Sequence, residues 1–209
     1  MITGELCVSW NCDTLSYYKK SEAWRSPDEA SHFVEPTILV DESLTVRWGR
    51  YELGVFYNPG HTMSTLNVDI PGADLIHAAD TIVGNLVYLF YSNPSSMHAA
   101  LVRLRQRARA TLVTSHGGPR RIVAADHALH YLDLLEMQVR AARLGESSRD
   151  AILAIDLDDC LPAGVEGSDF ERIFHRRNLE TIIERRFFSS VRDRKIIEDH
   201  ELPQVETCG

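Results

Sequence analysis

No stretch of this sequence is long enough and apolar enough to span a bilayer. The most hydrophobic run, TIVGNLVYLFY, falls well short of the about 20 residues a spanning helix needs. The opening MITGELCVSW has neither a basic start nor a long apolar run, so no signal peptide is read there. Cysteine is scarce: Cys7, Cys12, Cys160 and Cys208 form no CxxC pair and no disulfide-dense pattern. Reduced thiols in a cytoplasmic protein are therefore expected. An excess of basic charge is also missing, with 22 Lys and Arg against 30 Asp and Glu and a net charge of −8. That balance argues against nucleic-acid binding as the main role. Arg103, Arg105, Arg107 and Arg109 are locally dense but fall on more than one face of a helix, which reads as a solvated surface. No P-loop, G-x-S-x-G elbow or G-x-G-x-x-G turn is present, which removes the common nucleotide-binding and serine-hydrolase patterns. Internal repeats and low-complexity linkers are absent too.

What remains is a 209-residue chain, 44% hydrophobic and 25% charged. It is sized for one large domain, or a domain with a tail, and for a sizeable core. ELCVS reads as a short strand and residues 13–24 as an amphipathic segment. From residue 37 the pattern turns β-like, with TILV, LTVRWG, LGVFY, TLNVDI and DLIHAA separated by turn signals. Met97, Leu101, Leu104 and Ala108 recur at helical spacing, and ATLVTS follows as a compact buried strand. Leu129, Leu132, Leu135, Val139 and Ala142 mark a longer helix, with Gly145 as its stop. Ser147 with Asp150, and Ser168 with Glu171, read as capping boxes opening further helices. The last of these is expected to run to about Phe188 on a stripe of Phe170, Ile173, Phe174 and Ile182. A polar tail follows. The fold class is α/β, with antiparallel hairpins first and β-α units later.

Three residues share a context. His61 follows LGVFY through an Asn-Pro-Gly turn, Asp80 ends the strand DLIHAA, and His116 follows ATLVT and is released by Gly117, Gly118 and Pro119. Two histidines and a carboxylate at three strand ends suit a nitrogen/oxygen zinc site, and sites in open α/β sheets gather at strand ends. Each has a plainer reading: His61 as a turn residue, Asp80 as a cap, and His116 with its ring on a loop carbonyl. Among the other histidines, His127 and His130 share a helix with the Leu129/Leu132 stripe, and His77 alternates with a strand's apolar face. The first two read as surface or core histidines and His77 as structural. His98 opens a helix near the presumed site, where a substrate contact is an option.

NPGHTMSTL, LIHAAD and TLVTSHGG, in that order, resemble the second half of the metallo-β-lactamase superfamily pattern. YLDLLEMQVRAARLGESSRDA and FERIFHRRNLETIIERRF resemble its C-terminal helices. The resemblance covers roughly Gly4 to Phe188 and implies a metallo-β-lactamase-like αββα sandwich, N-terminally incomplete, over residues 1–188, with 189–209 as the tail. It further implies that His61 binds a first zinc, that Asp80 bridges two zincs as the catalytic carboxylate, and that His116 binds the second. Such a pair holds a bridging hydroxide for metal-assisted hydrolysis. Thr62 and Thr65 would support the turn that presents His61. The family's His-x-His-x-Asp-His motif is absent from the chain, which leaves two ligands per ion where a catalytic zinc usually has three. The expectation is a zinc-dependent hydrolase of small ester, lactone or thioester substrates, truncated and impaired in this form. The alternative is a non-catalytic binding or regulatory relative. Most of the first half's strands are also missing, so an exposed sheet edge and apolar face are expected to need cover. A longer natural chain, a homo-oligomer or repacking would supply it.

Overall fold

The computed structural model describes residues 38–189, apart from 117 and 145–147. The expected strand ELCVS, the amphipathic segment at 13–24, the Gly145 stop, the Ser147 half of one capping box and the tail beyond residue 189 lie outside the described residues. Six strands form one mixed sheet in chain order. β1 (Ser43–Trp48), β2 (Tyr51–Tyr57), β3 (Leu66–Ile70) and β4 (Leu75–His77) pair antiparallel. Helix α1 (Pro94–Gln106) then intervenes, and β5 (Thr111–Thr114) returns parallel to β4. β6 (Gly118–Arg121) closes the order as an antiparallel edge strand. The expected succession of hairpins and then β-α units is thus present. Among the described residues there is one sheet of the sandwich.

Two expectations are corrected here. Of TILV, residues 38–40 are outside any strand, with Ile38 58% and Leu39 65% exposed; among the described residues they have no partner strand, and without one apolar residues do not make a ladder. The segment expected only to release His116 is itself a strand, β6, in which Pro119 pairs with Val113 and Arg120 with Leu112. Proline removes one ladder donor, which an edge strand tolerates.

The register separates two faces. Leu44, Val55, Val68, His77, Val113 and Pro119 are successive cross-strand partners, so they share one face; the first five are only half-buried. The other face carries Phe56, Asp69, Ile76 and Leu112, all buried, and it meets the helices in the main core. Burying an aliphatic side chain such as Ile76 or Leu112 contributes roughly 2 kcal/mol. Asp69 on that face accepts from Arg109 Nε at 2.6 Å and Nη2 at 3.0 Å, which compensates its buried charge.

Each helix has a local cause. Asn93 caps α1 by accepting from Ser96 N at 2.9 Å, and Pro94 occupies the first turn, where its missing N–H costs nothing. α2 (Val123–Ala142) buries the expected Leu129, Leu132, Leu135 and Val139. α3 (Ser148–Leu153) is a short helix. α4 (Asp169–Arg185) opens on the expected Ser168/Glu171 capping box, a feature that contributes about 1 kcal/mol. It stops at Arg186 in the left-handed region, φ 57°, before Phe188.

The buried face of α4 is not the expected apolar stripe. Phe170 and Ile173 are 47% and 55% exposed, whereas Glu171, His175, Asn178 and Thr181 are buried beside Leu179 and Ile182. The reason lies across from it. Ile82, Val83, Leu86, Val87 and Leu89 are buried in a segment without helix or ladder, and its backbone groups need partners. Asn178 supplies two: Leu89 N donates to its Oδ1 at 2.8 Å and its Nδ2 donates to Val87 O at 2.7 Å. Asn178 Nδ2 also donates to Tyr131 Oη at 3.0 Å. The His175 ring lies between Tyr131 Oη and Ile155 O, both at 3.0 Å. A neutral ring satisfies both by accepting from tyrosine and donating to the carbonyl.

Replacing Asn178 with Ala is expected to strand buried donors and acceptors and to cost about 2–4 kcal/mol. A lower urea midpoint at unchanged slope is the measurement. Burial pushes the His175 ring below its ordinary value, against the Ile155 carbonyl and Asp156, which raise it. The folded state therefore binds the proton later than the unfolded chain, whose histidine titrates near 6.5. Stability should be flat in pH above that value and fall below it, by at most about 1.4 kcal/mol per pH unit from this ring, until the depressed folded value is passed. His175→Gln should shrink that acid slope in thermal melts taken across pH 4–8.

Candidate functional site

The turn bearing His61 is fastened from three sides. Asn58 N donates to Thr65 O at 2.9 Å, and Thr62 N donates to Thr65 Oγ1 at 3.0 Å. Asn58 also bonds to Asn67, and Ser92 Oγ bonds to Gly60 O. Arg103 of α1 donates from Nε to Asn58 Oδ1 at 2.6 Å and from Nη2 to Pro59 O at 3.0 Å. A Cβ on Gly60 would lie 2.5 Å from Ala100 Cβ, so only glycine lets the turn rest on α1. Thr62 and Thr65 thus hold the turn, as the sequence suggested.

Asp80 and His116 are brought together by the parallel pairing. His77 partners Val113, and Asp80 and His116 each lie three positions further along the chain, beyond the strand ends. Ala78 N donates to Val113 O at 2.7 Å and Ser115 N to Ala79 O at 3.2 Å, which ties the two exits. Asp80 does not end the strand as expected: β4 stops at His77, and Asp80 sits in a single 3-10 turn, Ala79–Thr81. Ala79 just before it has φ 48°, a strained value for a residue with a Cβ. His116 Nε2 lies 3.3 Å from Asp80 Oδ1, with His116 52% and Asp80 24% exposed. The contact lacks hydrogen-bond geometry, since Asp80 Oδ1 is buried with no hydrogen-bond partner.

His61 is 7% exposed. Burial pushes its ring below the ordinary value, Asp80 opposes that, His116 adds to it, and a hydrogen bond with the Tyr88 backbone opposes it. The net result favours the neutral ring. An N–H given to Tyr88 leaves the other nitrogen as an acceptor, and His61 Nδ1 is buried with no hydrogen-bond partner. The three expected residues thus share one electrostatic neighbourhood, with two orphaned buried atoms among them. Their positions do not amount to a ready centre: no three His, Cys, Asp or Glu side chains among the described residues stand where they could together hold a metal.

Sequence reasoning missed what surrounds them. Rings form a chain of neighbours from one histidine to the other. His61 lies 6.2 Å from Tyr88 and 5.9 Å from Tyr91, Tyr88 lies 5.0 Å from Phe174, Phe174 lies 4.8 Å from Phe170, and Phe170 lies 6.2 Å from His116. Phe170 and Tyr91 are exposed. Beside His116 is a pocket of about 410 Å³ lined by Gly84, Ser115, His116, Arg120, Ser168, Phe170 and Glu171. Glu171 is the N3 member of the capping box of α4, which the sequence shows. Nothing in its spacing shows that its carboxylate also accepts from Asn85 N at 2.6 Å, 86 residues away. Gly84, at φ 67°, leaves room for that carboxylate, which a Cβ would strike.

The remaining histidines divide as follows. His77 accepts from Ala79 N at 3.3 Å, structural as expected, and His127 pairs with Asn85 Oδ1 at 3.0 Å. His98 and His130 are exposed on α1 and α2.

No protein-family model and no curated protein sequence matches the chain. Solved structures do. A metallo-β-lactamase family protein from Thermus thermophilus aligns with a TM-score of 0.50 at 14% identity, covering 76% of this chain and 54% of that one. The stereoselective inverting sec-alkylsulfatase from a Pseudomonas species gives 0.50 at 11% identity, covering 72% of this chain and 26% of that one. A double mutant of a sec-alkyl sulfatase gives 0.54 at 12% identity, covering 82% and 29%. This chain therefore spans between about a quarter and about a half of the length of these structures. At such identities the likeness speaks for the fold alone, which is metallo-β-lactamase-like.

Proposed function

We propose that this chain is a metallo-β-lactamase-fold hydrolase in which His61, Asp80 and His116 contribute nitrogen and oxygen ligands to zinc. The observation that carries the reading is the pair of orphaned buried atoms, His61 Nδ1 and Asp80 Oδ1, of which Asp80 Oδ1 lies 3.3 Å from His116 Nε2. A buried acceptor without a donor costs about 1–3 kcal/mol, and a cation would remove that cost. The donors fit zinc in kind, two imidazoles and a carboxylate, and only in part by position. Zinc bound there would supply a water acidic enough to act as a nucleophile near neutral pH.

The chain's own groups prepare for such chemistry. Burial keeps His61 neutral, the form that ligates a metal. The parallel strands fix Asp80 against His116, and the rings from Tyr91 to Phe170 present an apolar wall to a small-molecule substrate. Esters, lactones and thioesters are the substrate class we assign. The second reading, a non-catalytic binding or regulatory relative, draws on the absence of a ready three-ligand group among the described residues.

Zinc titration of the metal-stripped chain separates them. Under the hydrolase reading His61→Ala weakens zinc binding at least about tenfold, about 1.4 kcal/mol, while its melting temperature without metal stays near that of the parent. A chelator should also abolish ester hydrolysis. Equal zinc content in parent and variant would contradict the ligand assignment.

A further inference from the structure

The pocket beside His116 is lined by Arg120, a cation that forms no ion pair among the described residues. Arg120 lies on β6 in register with Leu112, which in turn partners Ile76. That register puts it on the helix-covered face, opposite to Val113 and Pro119. Its Nε is buried and has no hydrogen-bond partner, and among the described residues it forms no ion pair. The carboxylate that feels its charge is Glu171, but Glu171 is fully engaged elsewhere. Its Oε1 accepts from Asn85 N at 2.6 Å and Asn85 Nδ2 at 3.0 Å, and its Oε2 from Ser168 N at 2.8 Å and Ser168 Oγ at 2.6 Å. Burial pushes that carboxyl up, and these bonds together with Arg120 outweigh it, so it is held below its ordinary value. Glu171 is thus a carboxylate with four donors of its own, not a counter-ion taken up by Arg120.

The same pocket is lined by the exposed Ser115 and by Phe170. The volume of about 410 Å³ is within the range of small-ligand pockets. A guanidinium presents paired N–H donors that match the two oxygens of a planar or tetrahedral oxyanion. A hydroxyl beside it adds a third donor. The one anion in the lining, Glu171, already has its four donors without Arg120, β6 is paired to β5, and the capping box of α4 is complete.

We propose that this pocket is an oxyanion-binding subsite, with Arg120 as its cation and Ser115 as a hydroxyl donor, and that it holds a carboxylate or sulfate group on the molecule brought to His116. The word substrate rests on the hydrolase reading; the subsite itself does not.

The test uses the full chain, stripped of metal and titrated with acetate and with inorganic sulfate at constant ionic strength balanced by chloride. Binding is followed by calorimetry and by amide and guanidinium resonances. One of the two anions should bind saturably, and the tighter one identifies the oxyanion as carboxylate or sulfate. Arg120→Gln should weaken it at least about tenfold, about 1.4 kcal/mol. Arg120→Lys, which keeps the charge and loses the paired donors, should weaken it by an intermediate factor, and Ser115→Ala by about threefold. Should Arg120→Gln fail to fold, the lysine and Ser115 variants carry the comparison. Absence of saturable binding, or equal binding in the parent and the Arg120 variants, overturns the proposal. Anion binding that persists in a chain whose zinc content is unchanged by His61→Ala would sink the ligand assignment and leave the subsite standing.

Discussion

The pairing of β4 with β5 is the constraint on which the site depends. It is a parallel pair, and parallel neighbours cannot be joined by a tight turn, so the chain must cross over. Here the crossover is α1. The pairing therefore does two things at once. It sends the exits of both strands out of the same side, where Asp80 and His116 meet, and it lays α1 against the preceding β2–β3 turn. Ala100 and Arg103 on that helix then fix the turn carrying His61. One ladder of three residue pairs, Leu75 to His77 against Thr111 to Val113, thus governs residues spread from 58 to 116.

A second dependence runs through the irregular segment after Asp80. A buried stretch without a ladder would leave peptide groups unsatisfied, and α4 answers this with side chains where a neighbouring strand would have used its backbone. The helix is consequently polar on its buried face. Three of its apolar positions, Phe170, Ile173 and Phe174, are turned partly outward while Leu179 and Ile182 stay buried, and two of the three enter the ring chain between His61 and His116. The division of labour on α4 is between polar groups that anchor and aromatic groups that line the site.

Much of this architecture could be read from residues whose chemistry is local. β1, β2, β3 and β5 announce themselves by apolar runs between turn signals, α1 and α2 by buried leucines at helical spacing, and α4 by Ser168 and Glu171. The strand-end context of His61, Asp80 and His116 pointed to one metal site; the fold sets Asp80 beside His116 and His61 within electrostatic reach of both, without a three-ligand group among the described residues. What could not be read depends on partners distant in the chain. β6 contains proline and two arginines and exists because β5 offers it an edge. Residues 38–40 have the composition of a strand but no partner strand among the described residues. The polar face of α4 makes sense only opposite residues 85–89, and Arg120 looks like surface charge until its register with Leu112 turns it inward.

Ala79 has a consequence for how sequence change in this chain would be felt. A left-handed alanine carries a conformational strain that glycine would relieve in the folded state, but glycine also widens the unfolded ensemble, and the two effects are each about 1 kcal/mol and opposed. Folding stability is thus nearly indifferent to which of the two residues stands there. The carboxylate next to it is not, because alanine narrows the range of directions in which Asp80 can point. At this position the demands of folding and of the site come apart, and a drift to glycine would loosen the aim of Asp80 while leaving a melting curve almost unmoved.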